Sequence, residues 1–444
     1  MSGPARVAVV GAGLAGCEAA LLLADAGIAV TLYEQKPAHF SPAHKKAGFA
    51  ELVCSNSLKA DRLDSASGLL KAEMRLLGSH LLDAAETARV AAGGALAVDR
   101  DVFSDTVTAM VEAHPGITIC REEVTGLTAG GEEMVLIATG PLTEGALAEA
   151  IREATGQDSL SFFDAAAPIV TAQSIDYTKV FAASRYGRGG NDYLNCPFDK
   201  PGYEAFYAEL LGAQRAELHD ADKANVYEGC MPVEVMARRG ADTLRYGPLR
   251  PVGLTNPATG HRPWANVQLR SEDKQNSCYN LVGFQTNLKF GEQKRVFSMI
   301  PGLEHAEFVR YGVMHRNSFL NSPKVLRADL SLQSDPHVFF AGQLTGVEGY
   351  MESAACGLLA AHQILRRLAG AAPLVLPQQT MCGALAHHLS APNADFQPMG
   401  SNMGLLPPLE QPVRDKRLRY EQLALRAVDA LRQALQQQAI QKTL

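Results

Sequence analysis

The chain of 444 residues reads as an α/β protein: a Rossmann-like nucleotide-binding unit with an α+β domain inserted in it. Three observations predict this. Near the start, a continuous β-branched run, Val7 to Val10, meets glycines at G-x-G-x-x-G spacing. Near the end, a second buried-type run, His337 to Gly342, again precedes glycines and a long helix rich in small residues. Between them lies a polar, turn-rich and basic stretch of different character. The expected division is 1–170 for the first part of the nucleotide-binding domain, 171–310 for the insert and 311–444 for the second part with a C-terminal helix. A chain this long exceeds what one core usually supports.

The opening segment justifies itself residue by residue. Gly11 allows the tight turn, Gly13 lets backbone approach a pyrophosphate, and Gly16 lets the following helix, Leu14 to Ala26, pack against the strand. Ala12, Leu14 and Ala15 complete the turn. Gly27 ends the helix, and the run Ile28 to Tyr33 finishes at Glu34, placed to accept hydrogen bonds from a ribose hydroxyl. After a loop containing Pro37 and Pro42, Leu58 to Leu82 is expected as one or two amphipathic helices broken near Ser65 to Gly68. From Gly94 the pattern becomes short strands, the last of which, Val135 to Gly140, ends at the carboxyl edge of a sheet where chain meets cofactor.

In the middle segment, Pro201 to His219 is expected as a helix whose Tyr203, Phe206, Tyr207 and Leu210 face the core, and several β-like runs follow, including KRVFSMI. In the terminal segment, Gly342, Gln343, Gly346 and Gly349 precede the helix; its amino end offers unpaired N–H groups and a positive dipole to a phosphate or a flavin carbonyl. A fingerprint at the start and a matching strand–glycine–helix near the end is the layout of two-dinucleotide-domain flavoproteins, so FAD is expected over NAD as the resident cofactor. A packing helix, Val413 to Ile440, closes the chain.

Composition narrows the class. Hydrophobic content of 47% with 20% charged residues is ordinary globular composition. No run is long and apolar enough to cross a bilayer, and the nucleotide-binding strand begins almost at Met1, leaving no room for a cleavable signal. Eight scattered cysteines without C-x-x-C or Cys/His clustering argue against a metal site and a secreted disulfide framework, so a cytoplasmic location is expected. The net charge of −6 hides an asymmetry: residues 238–327 hold 14 Lys and Arg against 6 Asp and Glu. That segment is either a solvated basic face or a surface for a polyanion.

Two cysteines stand apart from the others. Cys230 lies just ahead of a helix begun by Pro232, where the helix dipole lowers a thiol pKa. Cys54 occupies a similar place, in a loop with Ser55, Asn56 and Ser57 ahead of the helix expected from Leu58. Cys17 and Cys356 fall inside helices behind glycine turns and read as small buried side chains.

The segments AELVCSNSLKADRL, YEGCMPVEVMARRG, GFQTNLKFGEQKRVF and FFAGQLTGVEGYMESAACGLLAA closely resemble the folate/FAD-dependent tRNA (uracil-5-)-methyltransferase family, TrmFO, through nearly the whole chain. The related GidA (MnmG) family shares the FAD-binding core, so the fold implied is a GidA-type flavoprotein. At Gln343 many other FAD enzymes carry an Asp, a departure that looks normal for this family.

The resemblance implies a chemistry. Carbon 5 of uracil is a poor nucleophile; addition of the Cys230 thiolate to carbon 6 makes it an enolate that attacks a one-carbon electrophile. The carbon comes from 5,10-methylenetetrahydrofolate by way of reduced FAD. Cys54 removes the carbon 5 proton as general base, in one version after holding the methylene transiently as a thioether; NADPH or NADH is the reductant. The product implied is 5-methyluridine at position 54 of the tRNA T-loop, so the T-arm and folate are the expected partners, with protein partners left open. The base must be unstacked to reach such a site. Arg238, Arg239, Arg245 and Arg250 are the expected phosphate contacts. Competing readings are an NAD(P)H-dependent thiol oxidoreductase using both cysteines, a GidA-like wobble-uridine enzyme, and an FAD-binding scaffold that recruits RNA.

Overall fold

The computed structural model describes residues 5–128, 131, 133–158, 160–216 and 231–438. Its first layer is a five-stranded parallel sheet in the spatial order Val338–Phe340, Met134–Ile137, Arg6–Val10 (β1), Ala29–Tyr33 (β2) and Ile117–Cys120. Val7, Ala8, Val9 and Val10 are all buried, as a strand covered on both faces requires. The helix Leu14–Asp25 (α1) crosses one face beside the long helix Tyr350–Leu368. These two helices approach closely: a Cβ on Gly357 would lie 2.2 Å from the Ala15 carbonyl oxygen, so only glycine permits the contact.

The second layer is an antiparallel sheet in the order Phe181–Ala182, Tyr193–Phe198, Ala265–Ser271, Cys278–Leu281, Ile169–Thr171 and Phe308–Arg310. It encloses its own apolar core, which includes Tyr203, Phe206 and Leu210 from the helix Lys200–Gly212 and Phe284 and Phe297 from farther on. A two-stranded ribbon, Leu160–Ala165 with Met314–Phe319, stands where the chain leaves the parallel sheet and where it returns.

Several expected elements differ. Ser57–Ala60 is a strand, not the start of a helix, because it pairs with Ala95–Val98; the helices of that region are Ala66–Leu76 and Leu81–Thr87. The strands expected after Gly94 include Ile117–Cys120 and Met134–Ile137, but the first of them stops at Val98. Asp99 then caps the helix Arg100–Ala113, its carboxylate accepting from the N–H groups of Asp101 and Val102. The KRVFSMI stretch belongs mainly to a second helix, Phe290–Phe297. The closing helix runs Lys416–Gln437. No helix among the described residues is long and apolar enough to cross a membrane.

Candidate active site

The parallel register puts the carboxyl ends of β1, β2, Met134–Ile137 and Val338–Phe340 along one edge of the sheet. Gly11, Glu34, Gly140 and Gly342 all follow these ends and therefore share that edge, the usual place for a dinucleotide. Gly11 has φ +101°, and a Cβ there would sit 2.7 Å from the Ala138 carbonyl oxygen. Gly16 is tighter still, with its virtual Cβ 1.8 Å from Gly11 O, so α1 starts hard against the turn. Gly13 caps α1 with no side-chain hydrogen bond, no acid occupies the first turn, and a Cβ there would meet nothing within 4 Å. The leading N–H groups of α1, those of Leu14, Ala15 and Gly16 among them, have no partner within the helix and face a space that is open.

Glu34 is buried at the end of β2. Its Oε2 accepts from Ala12 N at 3.2 Å and its Oε1 from Lys36 N at 3.0 Å, which fixes the carboxylate and leaves lone pairs for hydroxyl donors. Across the edge, Gly349 caps Tyr350–Leu368, again without a side-chain bond. Gln343 Nε2 donates to Glu348 Oε2. Burial and the nearby Asp164 charge push the Glu348 carboxyl upward. A glycine-lined helix start with open donors, an oriented acid and a second uncapped helix fit the diphosphate, the ribose and the ring of FAD.

Cys54 is placed against this edge. Its N–H donates to Tyr350 Oη at 2.7 Å, as does Ser55 N at 3.2 Å, so the loop is tied to the first residue of the second helix. Three arginines hold the loop from the other side. Arg310 donates to Cys54 O at 2.6 Å and Val53 O at 3.1 Å, and Arg100 donates to Cys54 O at 3.3 Å and Leu52 O at 3.1 Å. Arg270 donates to Asn56 Oδ1 at 2.7 Å and Ser55 Oγ at 2.8 Å. Glu272 pairs with Arg100 at 2.7 Å.

Two of the sequence expectations need correction here. The helix-dipole argument for Cys54 fails because Ser57–Ala60 is extended; burial, aided by Asp164, pushes the thiol up to about 12, while Arg100 and Arg310 pull it down. The basic stretch is not one solvated face either. Arg270 is buried and Arg310 half-buried, and both are turned to the Cys54 loop. Arg238, Arg239 and Arg250 are exposed, whereas Arg245 lies over the Trp264 ring at 3.8 Å and pairs with Asp242 at 2.6 Å.

Cys230 lies outside the described residues. Beyond it, Val233 N donates to Gln285 O at 2.7 Å and Glu234 Oε1 accepts from Asn287 N at 2.8 Å, docking the following helix turn on the 285–287 segment. Cys17 and Cys356 are fully enclosed, and burial raises both thiols. Sequence reasoning missed Arg100, Arg270, Arg310, Tyr350 and Glu348. Their partners are mostly backbone groups far away in the chain, which leave no spacing signal.

A family model described as glucose inhibited division protein A matches residues 6–372. A methylenetetrahydrofolate–tRNA-(uracil-5-)-methyltransferase TrmFO of Moorella thermoacetica is 56% identical over 425 residues, covering 96% of this chain and 97% of that one. The chain belongs to the TrmFO family. The TrmFO of Lactiplantibacillus plantarum is 54% identical and covers 95% of each chain. Among solved structures, GidA of Aquifex aeolicus aligns with 97% of this chain and 73% of its own, at a TM-score of 0.68 and 15% identity, so TrmFO and GidA share this fold.

Proposed function

We propose that this TrmFO-family chain methylates carbon 5 of a tRNA uridine with the one-carbon unit of methylenetetrahydrofolate, at position 54 of the T-loop, with NAD(P)H as reductant. The observation that carries the site is the bond between Cys54 N and Tyr350 Oη at 2.7 Å, which seats a thiol beside the helix start that faces the cofactor edge. Bound FAD supplies redox chemistry and, when reduced, a ring nitrogen able to accept a one-carbon unit. The α1 amino end and Glu34 would hold its diphosphate and ribose, and Gly140, Gly342, Gln343 and Gly349 would lie toward its ring.

Cys230 is assigned as the nucleophile that adds to carbon 6 and is eliminated at the end. Cys54 is assigned as the base that takes the carbon 5 proton. With its thiol pushed up to about 12, Cys54 rests protonated, so it must lose its own proton before it can serve. The Arg100 and Arg310 guanidiniums on its carbonyl lower that cost. The unit at 171–310 is assigned to tRNA, with the exposed Arg238, Arg239 and Arg250 reaching phosphates.

The test is label transfer from methylene-labelled tetrahydrofolate to unmodified tRNA transcript with FAD and NADPH, comparing the chain with Cys230→Ala and Cys54→Ala. Label in T-loop 5-methyluridine that vanishes in both variants is expected. Label elsewhere, or persisting in Cys230→Ala, overturns the assignment.

A further inference from the structure

The insert carries a stacked aromatic trio that the cofactor cradle does not use. Tyr311 stacks with Phe308 (ring centroids 5.1 Å, planes 11° apart) and with Phe290 (4.9 Å, 17°). Such parallel contacts fix three rings in similar orientations. The segment behind them is rigidly held: Gln293 Oε1 accepts from Gly312 N at 2.8 Å, while its Nε2 donates to Gly312 O at 2.8 Å and Leu288 O at 2.7 Å. Yet Phe290, in the first turn of Phe290–Phe297, is 55% exposed. Phe308 packs against the apolar core of this region, whereas the outermost ring, Phe290, stands in water and offers its face to a contact.

Position and charge say what it contacts. Arg310, between Phe308 and Tyr311 in sequence, is the residue that donates to Cys54 O at 2.6 Å, so the trio adjoins the candidate site. A few residues before Phe290, Gln285 and Asn287 hold Val233 and Glu234, the turn that follows position 230. Lys289 and Lys294 stand exposed beside Phe290, and Lys289 Nζ donates to the neutral Gln214 amide at 3.4 Å; Arg295 is paired with Glu209 and Glu292. A flat ring with lysines beside it and no base-edge hydrogen-bonding group of its own suits an unpaired nucleobase whose backbone phosphates meet the lysines.

We propose that the Phe290–Tyr311–Phe308 trio is a stacking platform for an unpaired tRNA base, holding the loop opened when the target uridine leaves its stack. This rests on the tRNA reading above. Stacking of this kind is tolerant of base identity, so the platform serves affinity and loop geometry more than sequence choice.

The experiment uses the full FAD-loaded chain and unmodified tRNA transcripts carrying 2-aminopurine at successive unpaired positions. Expected with Phe290→Ala or Phe290→Leu is roughly tenfold weaker tRNA binding, with loss of fluorescence quenching at one loop position. Phe290→Trp restores both, and the KM for methylenetetrahydrofolate does not move. Arg238→Glu provides the contrast: it weakens binding and flattens its salt dependence without changing the quenching. Unchanged tRNA affinity in Phe290→Leu, or a raised folate KM with normal tRNA binding, overturns the platform alone. A wild-type chain that does not bind tRNA overturns the platform and the function reading together. Because Phe290 is mostly exposed, an unchanged thermal midpoint in both variants certifies the fold.

Discussion

Three helix starts in this protein are treated in two ways. At Met381–Ser390 the amino end is filled: Glu73 accepts from Met381 N and Cys382 N, both at 2.8 Å, and the Thr380 hydroxyl accepts from Gly383 N at 2.9 Å. At α1 and at Tyr350–Leu368 the capping residues are Gly13 and Gly349, and neither makes a side-chain bond. An acid does stand in the first turn of the latter, but Glu352 is taken by Lys59 at 2.9 Å and by Ser401. A helix start left open costs stability that a Ser or Asp would supply cheaply. Of these three, the two with glycine caps lie on the cofactor edge; Gly145–Thr155 and Phe290–Phe297 also start without a side-chain cap, so it is the glycine together with the edge that marks a binding start.

Closing an open start is the strongest way to break the contrast. Gly13 has extended backbone (φ −78°, ψ −169°), and a Cβ there meets nothing within 4 Å, so Gly13→Asp fits without strain. Its carboxylate would cap α1 and, in place of glycine, stabilise the flavin-free chain by only a few tenths of a kcal/mol, about 0.3. The same charge occupies the space meant for a diphosphate. The expected outcome is FAD affinity lowered at least about a hundredfold with a raised flavin-free melting temperature, read by flavin retention on gel filtration and by thermal unfolding. Retained flavin would show that the cradle lies elsewhere.

The Cys54 loop is a second kind of site, built from side chains instead of helix ends, and it answers to a smaller perturbation. Arg310→Ala removes donors to Cys54 O and Val53 O and one of the two cations that lower the thiol. Charge-assisted bonds of this kind are worth about 1.5–3 kcal/mol. Alkylation of Cys54 at fixed pH should slow about tenfold and its pH profile shift upward, with Arg310→Lys recovering part of the rate. An unshifted profile would mean that the arginine serves packing only.

These two sites also differ in how well the sequence displays them. The cradle is legible because Gly11 to Gly16 and Glu34 act through local backbone geometry, and spacing encodes local geometry. The Cys54 loop was legible only as a thiol among polar residues. Its clamps come from positions 100, 270 and 310, and no periodicity links a guanidinium to a carbonyl two hundred residues away. The misread strand Ser57–Ala60 has the same origin, since pairing with Ala95–Val98 overrides local preference. The helix Arg100–Ala113 differs: its cap Asp99 and buried Phe103, Val107 and Val111 at four-residue spacing are local signals, directly abutting the strand Ala95–Val98.

The filled start at Met381 offers the mildest test. Glu73 is buried, and desolvation pushes its carboxyl up to about 7 from 4.5 even though two N–H groups favour the ionised form. A folded-state pKa above the unfolded one means the folded chain binds the proton more tightly. Its contribution is therefore full below about pH 4.5 and is lost as pH rises through about 7. Water entering beside an ionised Glu73 softens the penalty, so the expected change is about 1 kcal/mol across that window. Glu73→Gln should flatten this part of the stability–pH curve, measured by denaturant unfolding, while leaving FAD binding alone. If Glu73→Gln instead releases flavin, the filled terminus communicates with the open ones, and the division between structural and binding helix starts no longer holds.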